Sequence, residues 1–167
     1  MASSEMAEQM DGPTVSWMRD QAARLDAVVC GSVVIEEAGR YYNRFIWAQA
    51  DGEMVTYDKR HLFRMAGEHE HYSAGGKKIL LDICGWKLCP MICYDLRFPV
   101  WFRNRGEYDV LLCVANWPAA RLPAWNTLLR ARAIENQAYV AGVNILGTDG
   151  NGVEYGGGSA AYAPDGE

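Results

Sequence analysis

The residues best suited to covalent chemistry lie in one short stretch, Lys87 to Pro99, which reads KLCPMICYDLRFP. An apolar run ends in Cys93 and the chain turns through Tyr94-Asp95-Leu96. Pro99, a residue type favoured in the first turn of a helix, is expected to open the helix that follows. A thiol at such a strand-to-helix elbow faces backbone N–H groups that can stabilise an oxyanion, and the helix N-terminus favours the thiolate. The position equally suits a buried thiol acting as a small hydrophobe, and the residues alone leave both readings open. A second stretch, Tyr57 to Phe63 (YDKRHLF), sets Lys59 just past a strand and ahead of a loop that carries Glu68. A lysine there can serve as a fixed positive charge that polarises a carbonyl and holds a tetrahedral oxyanion. The alternative is a solvated turn lysine.

Holding these residues requires a sheet, and the hydrophobic pattern supplies one. Residues 13 to 26 read as a short amphipathic helix with Val15, Met18, Ala22 and Leu25 on its apolar stripe. Three runs rich in strand formers follow: Ala27 to Glu36, Tyr42 to Gln49 and Met54 to Tyr57. They are separated by turn signals at Ala38-Gly39 and Asp51-Gly52, and are expected to pair antiparallel. Ile79 to Ile83 and Lys87 to Ile92 flank Cys84-Gly85-Trp86, a connection suited to a hairpin. Asp109 to Ala115 (DVLLCVA) is a continuous apolar run, the pattern of a strand covered on both faces. The segment Leu122 to Ala138 reads as a helix that turns Trp125, Leu128, Leu129 and Ala133 to one face and its arginines and Glu135 elsewhere. Tyr139 to Leu146 reads as the next strand, and a loose glycine-rich tail carries one more at Ser159 to Ala163, before the Pro164-Asp165-Gly166 turn. These elements imply a layered α/β protein forming one domain.

Composition narrows the function. The chain has 167 residues, half of them hydrophobic, with 21 acidic against 16 basic side chains and a formal net charge of −5. That profile excludes disorder, collagen and coiled-coil rods, and no apolar run approaches a membrane span. Without a lysine or arginine cluster, no nucleic-acid partner is expected. Five cysteines, an odd number at irregular spacing, point to reduced thiols and a cytoplasmic location rather than a secreted framework. With no CxxC pair, and with His61, His69 and His71 out of ligand spacing, no metal is expected.

In this order and spacing, YDKRHLF, GEHEHYSAG, ICYDLRFP, VANWP and RARAIENQAYV resemble the nitrilase superfamily of carbon–nitrogen hydrolases. More narrowly, they are similar to its omega-amidase branch, which includes the bacterial 2-oxoglutaramate amidases. The resemblance runs from about Asp26 to Glu167 and implies a four-layer α-β-β-α sandwich with a Glu-Lys-Cys triad, in dimers or larger homo-oligomers. It further implies Cys93 as nucleophile, Lys59 as the triad lysine, and Glu68, seven residues before Gly75, as the second glutamate that orients them. Glu70 is the neighbouring alternative for that last role. The oxyanion would be held by the Lys59 ammonium and the Tyr94 backbone N–H. No metal or organic cofactor is implied. The substrate implied is a short dicarboxylate monoamide. Its far carboxylate needs a cationic partner, for which Arg97 is a candidate; the competing role for Arg97 is to tie the elbow to nearby backbone. Trp117, past the DVLLCVAN run, either walls the pocket or belongs to the core. For Glu135, three residues after Arg132, a helix-stabilising pair is the simpler account.

The family's general-base glutamate belongs to a Pro-Glu block ahead of the segment that begins here at Met1, and no acidic residue in MASSEMAEQMDG has that context. The strands that complete the sandwich at its other end are also missing. The expectation is therefore an internal fragment of a longer chain, with a fold incomplete at both ends, inactive and prone to associate when isolated. Two other readings accompany this one: a non-catalytic nitrilase-like binding module, and a redox-sensing Cys93 with Cys89 as resolving thiol.

Overall fold

A computed structural model describes residues 3–167. They fall into two compact units, one ending at Lys77 and the other starting at Lys78.

The first unit lays one helix on a three-stranded antiparallel sheet. Helix α1 (Pro13–Leu25) buries Val15, Met18 and Ala22 at the spacing of three and four anticipated for them. They pack on Ile35, Ile46 and Ala48 of the sheet. Leu25, expected on the same stripe, is exposed, because the chain leaves the helix there through Asp26 in the left-handed region (φ 48°). Proline at the first helical position leaves fewer amide donors to satisfy, and the Glu8 carboxylate accepts the N–H groups of Thr14 (2.9 Å) and Val15 (3.2 Å). A carboxylate at a helix N-terminus contributes about 0.3–1 kcal/mol. Glu8 is thereby committed to the helix N-terminus. The strands are β1 (Val29–Glu37), β2 (Arg40–Ala48) and β3 (Met54–Asp58), paired in the order β1-β2-β3 as the turn signals predicted. The β1–β2 connection, Ala38-Gly39, has positive φ at both residues (52° and 73°), which matches the right-handed twist of the flanking strands.

The second unit is a five-stranded mixed sheet with a helix against it. Strands β4 (Leu81–Ile83) and β5 (Trp86–Ile92) form the expected hairpin. Its turn is the two residues Cys84-Gly85, both at positive φ, so Trp86 opens β5 rather than belonging to the connection. Strands β6 (Val110–Ala115) and β7 (Tyr139–Asn144) run parallel to β5, with β6 central. Strands β8 (Leu146–Thr148) and β9 (Glu154–Gly156) make a separate two-stranded ribbon, and β10 (Ala160–Tyr162) pairs antiparallel with β7. The single strand expected over Tyr139 to Leu146 is thus two, broken where the side chain of Ser159 takes the Asn144 N–H (3.0 Å). The tail expected to be loose contains the β8–β9 ribbon.

Helix α2 (Leu122–Asn136) crosses from β6 to β7 and buries Trp125, Leu129 and Ala133, as its periodicity predicts, with Leu128 half-buried. It lies so close to β7 that a Cβ at Gly142 would come within 2.4 Å of Leu129. One expectation fails on this helix. Arg132 faces inward, where its Nε and Nη2 donate to the Leu96 carbonyl (3.0 and 2.7 Å) and its Nη1 to Glu135 (2.8 Å). The last contact is the i,i+3 pair anticipated for Glu135.

No helix opens at Pro99 either. Residues Cys93–Arg97 form a short 3-10 turn, followed by irregular turns. Phe98, restricted by the proline after it, lies outside the helical region (φ −119°, ψ 77°), and the Leu96 carbonyl just before it is taken by Arg132. Among the described residues, no helix is long and apolar enough to cross a membrane.

Candidate functional site

In the first unit, Lys59 follows β3 directly, and its backbone is fixed on both sides. Its N–H donates to the Asn43 carbonyl and its own carbonyl accepts from Gly75 N–H, each at 2.9 Å. Gly75 must be glycine for this approach, since a Cβ there would lie 2.1 Å from the Asp58 oxygen. The Lys59 side chain is only 3% exposed, so the solvated-turn reading of it fails. Its Nζ donates to both carboxylate oxygens of Glu68, at 2.9 and 2.7 Å. Among the described residues no other acceptor takes its third proton. Glu68 also accepts from Phe63 N–H and from the Asn43 side-chain amide (3.4 Å). Glu70, the neighbouring alternative, is exposed. A buried lysine gripped by one bidentate carboxylate keeps its direction, which is what an electrophilic cation needs.

In the second unit, three adjacent parallel strands end side by side. Cys93 follows β5, Asn116-Trp117 follows β6 and Asn144 closes β7, with Ile92 opposite Val114 and Ala115 opposite Asn144. Carboxyl ends of parallel strands are where open α/β sheets bind ligands. Cys93 is half-buried and holds a left-handed backbone (φ 47°), a conformation that costs a non-glycine residue about 1 kcal/mol or more. Strained backbone at a half-accessible thiol argues against a mere core cysteine. The buried Asp95 accepts the Ile92 N–H (3.1 Å) and tightens the turn. The Cys93 thiol donates to the Asn116 carbonyl, with Sγ and oxygen 3.9 Å apart. Tyr94 packs edge-on against Phe98, ring centroids 5.2 Å apart.

Arg97 is exposed, its guanidinium lying over the Trp117 ring at 5.2 Å, and it has no carboxylate partner among the described residues. It does not tie the elbow to backbone; Arg132 does that. Trp117 is buried, with its ring 5.5 Å from that of Trp125 and its Nε1 donating to the Arg121 carbonyl. Beyond the residues expected from the sequence, the structure adds Asn43 beside Glu68 and Asn144 beside Trp117. Their only signal was a polar amide side chain within or at the end of a strand.

Cys89, four residues before Cys93, is completely buried, and burial pushes its thiol up to about 12. A thiol that stays protonated and covered cannot resolve a sulfenic acid, which removes the redox-pair reading. None of the five cysteines is in a disulfide.

The family model for the carbon-nitrogen hydrolases matches residues 2–167. The chain is 54% identical to the omega-amidase YafV of Yersinia enterocolitica over 153 residues, which are 92% of this chain and 60% of the relative. It is 49% identical to omega-amidase YafV of Escherichia coli K12, with 99% and 64% covered, and 37% identical to the 2-oxoglutaramate amidase of Bacillus subtilis, with 87% and 58% covered. Among solved structures, it superposes on a CN-hydrolase superfamily protein of Xanthomonas campestris that carries an arsenic adduct in its active site. That match has TM-score 0.94 and 51% identity, and covers 96% of this chain and 64% of the other. The chain thus spans about three fifths of the length of these relatives. With a family model matched from residue 2 to its end and a backbone shared with solved relatives, the chain belongs to the carbon–nitrogen hydrolase family and has the α/β fold of the nitrilase superfamily.

Proposed function

We propose that this protein is an amidase that cleaves the terminal amide of a short amido acid, such as 2-oxoglutaramate, to acid and ammonia through a thioester on Cys93. The observation that carries the reading is Cys93 itself, a half-accessible thiol in a left-handed turn at the carboxyl end of a parallel strand. The names of relatives at 49–54% identity support the choice of substrate class.

In this reading a carboxylate base, expected ahead of Met1, takes the Cys93 proton and the sulfur attacks the amide carbon. The oxyanion is stabilised by the Lys59 ammonium and the Tyr94 N–H, while Glu68 keeps the ammonium aimed. The C–N bond breaks, ammonia leaves with the proton the base had taken, and water hydrolyses the thioester. Arg97 is the proposed partner for the far carboxylate, because its guanidinium is exposed and lacks an anionic partner among the described residues. Trp117, over which it lies, backs that subsite. The proposal further takes the chain as one carbon–nitrogen hydrolase domain within a longer protein, working as a homodimer or larger homo-oligomer. The five thiols outside disulfides suit the cytoplasm.

The test is ammonia release from 2-oxoglutaramate by the full-length protein and by Cys93→Ala, with glutamine and a simple nitrile as controls. Turnover of the keto-amide that vanishes in the variant is expected. No turnover of any amide by the folded protein would overturn the reading.

A further inference from the structure

Asn144 is buried, yet its side chain makes three hydrogen bonds, all to backbone. Its Oδ1 accepts from Trp117 N–H (2.7 Å), and its Nδ2 donates to the carbonyls of Trp117 (3.0 Å) and Gly157 (2.7 Å). Both amide protons and one oxygen lone pair are therefore spent on clamping Trp117 from its two sides and joining it to the loop that follows β9. Its backbone is held as well, since the Ser159 hydroxyl accepts from Asn144 N–H (3.0 Å) and donates to the Asn144 carbonyl (3.3 Å). The residue immediately before the clamped Trp117 is Asn116, whose carbonyl accepts the Cys93 thiol proton. A loop after β6 would otherwise be free to swing, as connections at strand ends usually are.

We propose that Asn144 is a positioning residue for the Cys93 nucleophile: by clamping the Trp117 backbone it holds the Asn116 carbonyl against the thiol and keeps the resting sulfur in one rotamer. The proposal rests on Cys93 being the nucleophile. It deepens that reading by placing its control on the third parallel strand. Two consequences separate positioning from simple stability. Without the clamp, the sulfur loses its preset direction of attack, and reactions that depend on geometry slow by about tenfold. At the same time the thiol loses the acceptor that favours its protonated form, so the thiolate forms at lower pH.

The experiment follows iodoacetamide alkylation of each cysteine in the full-length protein by mass spectrometry as a function of pH, in wild type, Asn144→Ala and Asn144→Ser. Amide turnover is measured in parallel. For Asn144→Ala, the alkylation midpoint of Cys93 is expected to fall by about half a pH unit or more, with kcat down about tenfold and KM within about twofold. Asn144→Ser, which retains one donor and one acceptor, should shift in the same direction by less. Cys89 and Cys113 are buried, so their protection in the same spectra reports folding. A folded Asn144→Ala with the wild-type Cys93 midpoint overturns the proposal. So does unmasking of Cys89 and Cys113 in both variants, which would make Asn144 a folding residue. The alkylation arm needs no amide turnover, so a failed amidase reading and a failed clamp give different results.

Discussion

Two buried cations on neighbouring strands of the first unit, Arg44 within β2 and Lys59 just after β3, are used in opposite ways. Arg44 spends itself entirely on structure. Its Nε and Nη2 fork onto Asp58 (2.6 and 3.0 Å), its Nη1 and Nη2 reach Glu37 (3.3 and 3.0 Å), and its guanidinium lies 5.2 Å over the Tyr42 ring. The paired carboxylates push the Arg44 guanidinium up, and Arg44 in return holds the Glu37 carboxyl below its ordinary value. One position along each strand, Lys59 and Asn43 share Glu68 instead, and the ammonium keeps a proton that no described residue takes. A planar fork with two carboxylates is a clasp. A point charge with one carboxylate keeps a donor to spare, which suits the oxyanion role proposed for Lys59.

The contrast is open to experiment. Lys59→Met should reduce kcat/KM for the amide by about 10²–10³-fold, the range found when one oxyanion donor is removed. Steady-state kinetics on protein normalised for the folded fraction would measure it, and a loss under threefold would erase the distinction. Arg44→Met should do the reverse. It costs about 2–3 kcal/mol in urea unfolding by leaving Asp58 without its partner, with Glu37 already half in water, while activity per folded molecule stays within about threefold.

A pH-dependent effect belongs to a parallel contrast between Cys89 in β5 and Cys93 just after it. Burial raises the Cys89 thiol from an ordinary value of 9.0 to about 12, so the folded chain holds a proton that the unfolded chain releases. The stability due to that proton is complete below pH 9.0 and drains away as pH climbs toward about 12. Between those limits the wild type should lose up to about 1.4 kcal/mol per pH unit more than Cys89→Ala, measured as the difference between their urea midpoints. Equal alkaline slopes would show that Cys89 is not as sealed as its neighbour is open.

These contrasts also mark what could be read from the chain. Strand runs with β-branched residues and turn signals were legible because register and turn chemistry are local, and so the three strands of the first unit and the Cys84-Gly85 hairpin appeared where expected. Lys59 and Cys93 stood out by motif, and the resemblance pointed to Glu68 while leaving Glu70 as an alternative, a choice that the Lys59–Glu68 hydrogen bonds make. What was not legible is decided by single long-range hydrogen bonds. Arg132 looked like one more surface arginine until the Leu96 carbonyl, 36 residues away in sequence, drew it inward. Asn144 gave no local sign of its three backbone partners, because those lie on segments that only the parallel sheet brings together.

The left-handed turn at Cys93 sets stability and chemistry against each other at a single codon. Glycine would occupy that conformation without strain, so the replacement that best relaxes the backbone is the one that deletes the thiol. With Cys93 as the proposed nucleophile, selection for a tougher protein alone would therefore drift toward an inert one.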